Sequence, residues 1–154
     1  LAEEQYNMEL ALRFVVLRNM PNDRISRIGN IGEFLSAELV SLVERDERFL
    51  AEEYAALRST FDLLYEAEGG DALRKWNPER CRSEVSISST AFETLALGIG
   101  HYMPTERIDV EMVARKRKEL WNDAQFGPGH ATGQRADQRM NRTVPYGRTL
   151  FAEE

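Results

Sequence analysis

Two histidines and one cysteine are all that 154 residues offer to a metal ion or a nucleophilic triad, and that shortage excludes several chemistries at once. His101 and His130 each lack a second His, Cys or carboxylate at ligand spacing, so no zinc motif can be written. Neither is accompanied by a Gly-x-Ser-x-Gly elbow, which removes the usual serine triad. Cys81 stands alone and can close no internal disulfide, as suits a reducing compartment. Long apolar runs are missing too: Leu10 to Leu17 is broken by Arg13 and falls far short of the roughly 20 residues of a membrane span. Leu1 to Tyr6 are acidic where a secretory signal would be basic. These absences predict a soluble, cytoplasmic chain with no membrane contact, no metal and no cofactor. Because it opens on Leu and not Met, it is expected to be a piece of a longer polypeptide.

Apolar residues make up 42% of the chain and charged residues 30%, which is enough to bury a core, so residues 1–154 are predicted to form a single helical domain. The net charge of -6 is unevenly spread: the part before Asp71 is strongly acidic and the part from Arg107 to Arg148 leans basic. That asymmetry argues against nucleic-acid binding over the whole surface.

Period 3.6 dominates the pattern. Tyr6, Leu10, Phe14 and Leu17 mark a helix from about Ala2 to Asn19, ended by Pro21 and Asn22. Asn30 caps a second, with Leu35, Leu39, Leu42 and Val43 on one face and Glu38, Ser41 and Glu44 on another. The third has the clearest period: Leu50, Tyr54, Leu57, Phe61 and Leu64 alternate steps of four and three before Gly69 and Gly70 stop it. Asp71 to Ser86 reads as a connection in which Trp76 plugs the core; Glu84 to Ile87 is the nearest approach to a strand. Thr90 and Glu93 form a capping-box pattern ahead of Phe92, Leu95, Ala96 and Ile99, and the weak helix formers Gly98 and Gly100 call for a close helix neighbour. Asp109 caps a fifth helix with Met112, Val113, Leu120 and Trp121 inward and the run Arg115 to Lys118 mostly outward. After a glycine-rich loop, Gly127 to Gly133, a last helix is expected from Gln134 to about Arg142, ended by Pro145. The fold class is therefore all-α, a bundle of about six helices joined by short loops.

Few residues in this frame invite chemistry. Gly129 and Gly133 belong to a loop that could offer backbone N–H groups to an anion, yet no strand precedes it and no Gly-Lys-Ser/Thr follows. Arg135, Arg139 and Arg142 line one helix face and Arg148 extends the row. Such a row could grip DNA phosphates without reading bases, or each arginine could pair with the acid-rich first half of the chain. Glu9 and Arg13, four apart on an apolar helix, read as a structural ion pair, since buried charges come paired. No catalytic residue is assigned.

Glu9-Leu10-Ala11-Leu12-Arg13-Phe14, followed by Gly32-Glu33-Phe34-Leu35, resembles the Glu-x-x-Leu-Arg-Phe helix and its successor downstream of the ParB-like domain in GmrSD-type restriction proteins. Phe92-Glu93, the segment Leu120-Trp121-Asn122-Asp123 to Phe126, Arg139 and Gly147-Arg148-Thr149-Leu150-Phe151 are similar in order and spacing to that family's helical C-terminal portion. The resemblance implies bacterial defence against foreign DNA through a nucleotide-dependent ParB-like domain, and often a separate HNH-type nuclease domain. Neither engine is in this chain: the Asp-Gly-Gln-Arg-type motif is unmatched, its nearest string being Thr132-Gly133-Gln134-Arg135, and the nuclease motif needs more histidines. The chain is then expected to brace an upstream ParB-like domain and to touch DNA backbone. The competing reading is a protein–protein interaction or homo-oligomerisation domain with no nucleic-acid role.

Overall fold

Apolar periodicity becomes helix along most of the chain in a computed structural model, which describes residues 1–126 and 134–153. The long helices are α1 (Ala2–Leu17), α3 (Ile31–Val43), α4 (Glu47–Glu68), α7 (Val110–Asn122) and α8 (Ala136–Leu150), with a single turn α2 (Asn22–Ile25) after Pro21. Side-chain caps set three of their starts, because the first N–H groups of a helix have no partner within it. Asn30 accepts from the Glu33 N–H at 3.0 Å, Asp46 from Phe49 at 2.8 Å and Asp109 from Met112 at 2.8 Å. Gly69, at φ 61°, ends α4 in a left-handed conformation that suits glycine.

The mostly helical class holds, but the chain is not strictly all-α. β1 (Arg74–Asn77) and β2 (Arg82–Ile87) pair antiparallel, with Asn77 opposite Arg82 and Trp76 opposite Ser83. Asn77 Oδ1 accepts from the Glu79 and Arg80 N–H groups and closes the turn. This hairpin leaves little alternation in the sequence because nearly all of β2 faces solvent, Ser83 being its one half-buried residue. The glycine-rich loop, with Gly129 and Gly133, lies outside the described residues.

A helical run from Ser89 to Tyr102 forms the centre of the core. It comprises α5 (Ser89–Ala91), a π-helical stretch (Phe92–Ala96) and α6 (Leu97–Tyr102), and every residue from Ala91 to Gly100 is buried. Ser88, not Thr90, caps it, accepting from the Ala91 N–H at 3.2 Å. Glu93 therefore does not close a capping box; it points into the core, where it is 1% exposed.

Two further expectations are corrected by packing. In α4 the buried residues are Glu53, Ala56, Thr60 and Leu64, so the buried face is turned to one side of the apolar stripe: Leu64 is shared, Leu57 and Phe61 are half-buried, and Leu50 and Tyr54 are left exposed. Small Ala56 and Thr60 let neighbouring helices approach, and Glu53 is drawn inward by Arg18. Helix α8 runs straight through Pro145, which removes one backbone hydrogen bond, because the following turn is held by close contact with the central run.

That contact explains the glycines. A Cβ on Gly98 would come 2.7 Å from the Gly147 carbonyl oxygen, and one on Gly147 would come 2.2 Å from that of Thr94. Gly100 lies against the Phe14 ring, where a Cβ would sit 2.6 Å from ring carbons. The helix weakness costs about 1 kcal/mol per glycine; backbone-to-backbone contact requires it. Gly147→Ala is expected to lower stability by about 3 kcal/mol or more in urea denaturation, the upper range of overpacking. Gly70→Ala, with nothing within 4 Å of its Cβ position, is expected to stay within about 0.5 kcal/mol of the parent.

Candidate functional site

The arginines of the last helix do not form one open row. Arg135 is exposed and pairs with Asp137 at 2.9 Å. Arg139 makes a bidentate pair with Glu93, its Nε donating to Oε1 and its Nη2 to Oε2, both at 2.8 Å, while the Thr143 hydroxyl donates to Oε1 at 2.8 Å. The hydrogen bonds to Glu93 raise the Arg139 pKa above its ordinary value. Arg142 is half-buried, lies 5.5 Å from the Phe126 ring centroid and reaches Gln134 Oε1 at 3.5 Å. Arg148 turns inward and donates to Asn22 Oδ1 at 2.8 Å and to the Leu17 carbonyl at 3.0 Å. Gly129 and Gly133 lie outside the described residues. On α1, Arg13 Nε donates to Glu9 Oε1 at 3.1 Å; the arginine is largely covered and the carboxylate about half exposed.

Sequence reasoning passed over three other arginines that the fold draws inward. Arg18 pairs with Glu53 through two hydrogen bonds of 2.7 and 2.8 Å, and also donates to the Gly100 carbonyl at 2.7 Å. Arg117 donates to the carbonyls of Asp71, Ala72 and Arg74, and burial lowers its pKa. Lys116 is buried as well, so of the basic run only Arg115 and Lys118 face outward. Arg107 donates to the Phe151 carbonyl at 2.7 Å. The common signal is position: apart from that of Arg74, which opens β1, these carbonyls lie at helix ends, where C=O groups have no intrahelical partner and the dipole favours a cation. No spacing rule in the sequence reveals such a long-range pairing.

His101 also serves this framework. Its Nδ1 lies 2.8 Å from the Arg18 carbonyl, so the neutral ring donates its proton there. Burial is the largest influence and lowers its pKa below 6.5; the hydrogen bond to the Arg18 carbonyl opposes it, and the positive charges of Arg148 and Arg18 add to the lowering. Among the described residues no cluster of three or more His, Cys, Asp or Glu could hold a metal ion. No helix among them is long and apolar enough to cross a membrane.

The remaining feature is a groove between α1 and α4. Arg18 meets Glu53 whereas Phe14 meets Phe61, so the two helices run antiparallel. Along the outside of their contact Leu10, Ala11, Leu57 and Phe61 line a cleft of about 420 Å³, with Asn7, Arg58 and Asp62 at its edge. Tyr54, 62% exposed, also lines it, and Leu50, 45% exposed, lies four residues earlier on the same face of α4; the two are the first members of the regular stripe. Comparison with protein-family models, with curated proteins and with solved structures finds no match to this chain.

Arg139→Ala would leave the Glu93 carboxylate buried and uncompensated, and is expected to cost about 3–5 kcal/mol in urea denaturation. Arg135→Ala, at an exposed pair, is expected to change stability by less than about 0.5 kcal/mol. Equal losses in the two variants would contradict the placement of Glu93. For His101 the folded pKa is depressed, so its contribution is complete above the unfolded value and is lost as pH falls. The Tm is expected to decline as pH drops below about 6.5, with a shallower decline in His101→Gln.

Proposed function

We propose that this chain is a helical docking module with no reaction centre of its own. It corresponds to the helical C-terminal portion of a GmrSD-like restriction protein, bracing an upstream ParB-like nucleotide domain in bacterial defence against foreign DNA. One observation carries the docking part: the stripe of α4, spaced for shallow helix packing, extends beyond what its own core covers, leaving Leu50 and Tyr54 in solvent beside an apolar groove. The family part rests on the order of the motif residues. Their placement supports it, since Glu93, Arg139, Gly147, Arg148 and Phe151 all hold the central helices together, as a lobe lacking an active site requires.

DNA contact is the narrower element of this reading. Arg139 and Arg148 are committed to internal partners, which leaves Arg135 as the exposed cation of the proposed phosphate row. The exposed stripe equally favours self-association, in which a second copy covers the groove.

In the full-length polypeptide, Leu50→Glu combined with Tyr54→Glu is expected to lower nucleotide hydrolysis roughly tenfold, equivalent to about 1.4 kcal/mol of lost coupling. The Tm of the isolated chain should stay unchanged, because both side chains are exposed. Full hydrolysis in that variant contradicts the bracing role. Light scattering of the isolated chain separates the second occupant: a mass that doubles with concentration and returns to monomer in the same variant assigns the groove to another copy.

A further inference from the structure

Apart from Val85 and Ile87 on β2, the large apolar side chains left in solvent among the described residues lie in the first 65 residues. Met8, Leu39, Val40, Val43, Tyr54 and Tyr65, on α1, α3 and α4, are 47% to 73% exposed, whereas from Ser88 onward no large apolar side chain of the described residues is exposed. The same part holds the surplus of negative charge. Residues 1–70 contain 14 carboxylates and seven arginines, with no lysine. Six of those arginines are already paired with carboxylates of the same segment, and the seventh, Arg45, stacks 3.7 Å from the Phe49 ring centroid. The local cations are thus committed, and carboxylates remain.

Helical spacing carries some of these carboxylates to the groove. Glu3 precedes the groove-lining Asn7 by four residues, Glu66 follows Asp62 by four, and Glu47 precedes Tyr54 by seven, each on the same face as the residue it flanks. Because α1 and α4 are antiparallel, Glu3 and Glu66 mark one end of the cleft and Glu47 the other. None of the three has a cation within 4 Å among the described residues. Between them Arg58 and Asp62 form a pair at 3.9 Å.

We propose that the α1–α4 groove receives an amphipathic α-helix with large apolar side chains at heptad spacing and basic residues on its flanks. The inference rests on the docking reading and specifies the partner. A helix is the shape that fits, because the exposed stripe repeats in steps of four and three and the groove lies between two helices. Basic flanks are the chemistry that fits, because carboxylates at both ends of the cleft favour cations, steer their approach and repel an acidic competitor. The same charge works against an anionic membrane surface, which attracts basic segments.

The test uses the whole chain and two synthetic three-heptad peptides, both with Leu at a and d, one with Lys and the other with Glu at e and g. Fluorescence anisotropy is expected to give at least tenfold tighter binding of the Lys peptide, a preference that shrinks as salt is added. Leu50→Ala with Tyr54→Ala should weaken that binding about tenfold, with an unchanged melting curve. Glu3→Gln, Glu47→Gln and Glu66→Gln together should remove most of the preference for Lys. Equal binding of both peptides overturns the basic partner but leaves the docking groove standing. Failure of both peptides to bind overturns the groove itself. Lys-peptide binding that persists in the Leu50/Tyr54 variant, or binding of the chain to phosphatidylserine vesicles with no response to the groove substitutions, also overturns the proposal.

Discussion

A guanidinium withdrawn from water must recover its hydrogen bonds, and in this fold it recovers many of them from carbonyls at helix ends. Arg18, just past α1, donates to Gly100 and Met103 at the end of α6. Arg107, in the connection that follows α6, donates to Phe151 at the end of α8. Arg148, on α8, donates back to Leu17 and Arg18 at the end of α1. The three contacts close a ring in which each helix terminus is satisfied by a cation from another element. Arg117 does the same for the chain leaving α4. Each contact meets two needs together, the orphan carbonyls and the negative end of the helix dipole.

The close helix crossing accompanies that ring and in turn shapes the more deeply buried of the two buried acids, Glu93. Glycine at 98 and 147 lets α8 touch the central run backbone to backbone. The π-helical stretch from Phe92 to Ala96 lies in this contact, and within it Glu93 faces Arg139 and Thr143 across the interface. A carboxylate held by a bidentate arginine and a hydroxyl links the two helices that carry them. Among the described residues Arg18, Arg117, Arg139 and Arg148 are thus committed to holding helices, and the exposed stripe and groove of α1 and α4 lie on other side chains.

Much of this was legible in the sequence because it is local. The caps at Asn30 and Asp109, the period of α1 and the need of Gly98 and Gly100 for a close neighbour follow from residues within a turn or two of each other. What could not be read was set by contacts across the chain. The apolar stripe of α4 was visible, but its rotation out of the core depends on Arg18 finding Glu53, 35 residues away. Pro145 signals a stop by local rules, and the packing of Gly147 overrides it. Of the hairpin only Glu84 to Ile87 hinted at a strand, because a strand exposed on both faces needs no alternation. Of the candidate site, the arginines stand out in the sequence by their spacing, while the partners of Arg139 and Arg148, Glu93 and the carbonyls of Leu17 and Arg18, lie too far off in sequence for any spacing to show.

Internal partners fix these guanidiniums in place. The most direct measurement is the hydrogen exchange of arginine Nε–H groups by NMR in the native chain. Arg18, Arg117 and Arg139 each donate through Nε, to Glu53, Ala72 and Glu93 respectively. Their three resonances should be dispersed and protected, and should stay unmoved when duplex DNA is added. Fast exchange at the averaged position of solvent-exposed arginines, or a shift of the Arg139 signal on DNA addition, would contradict the account.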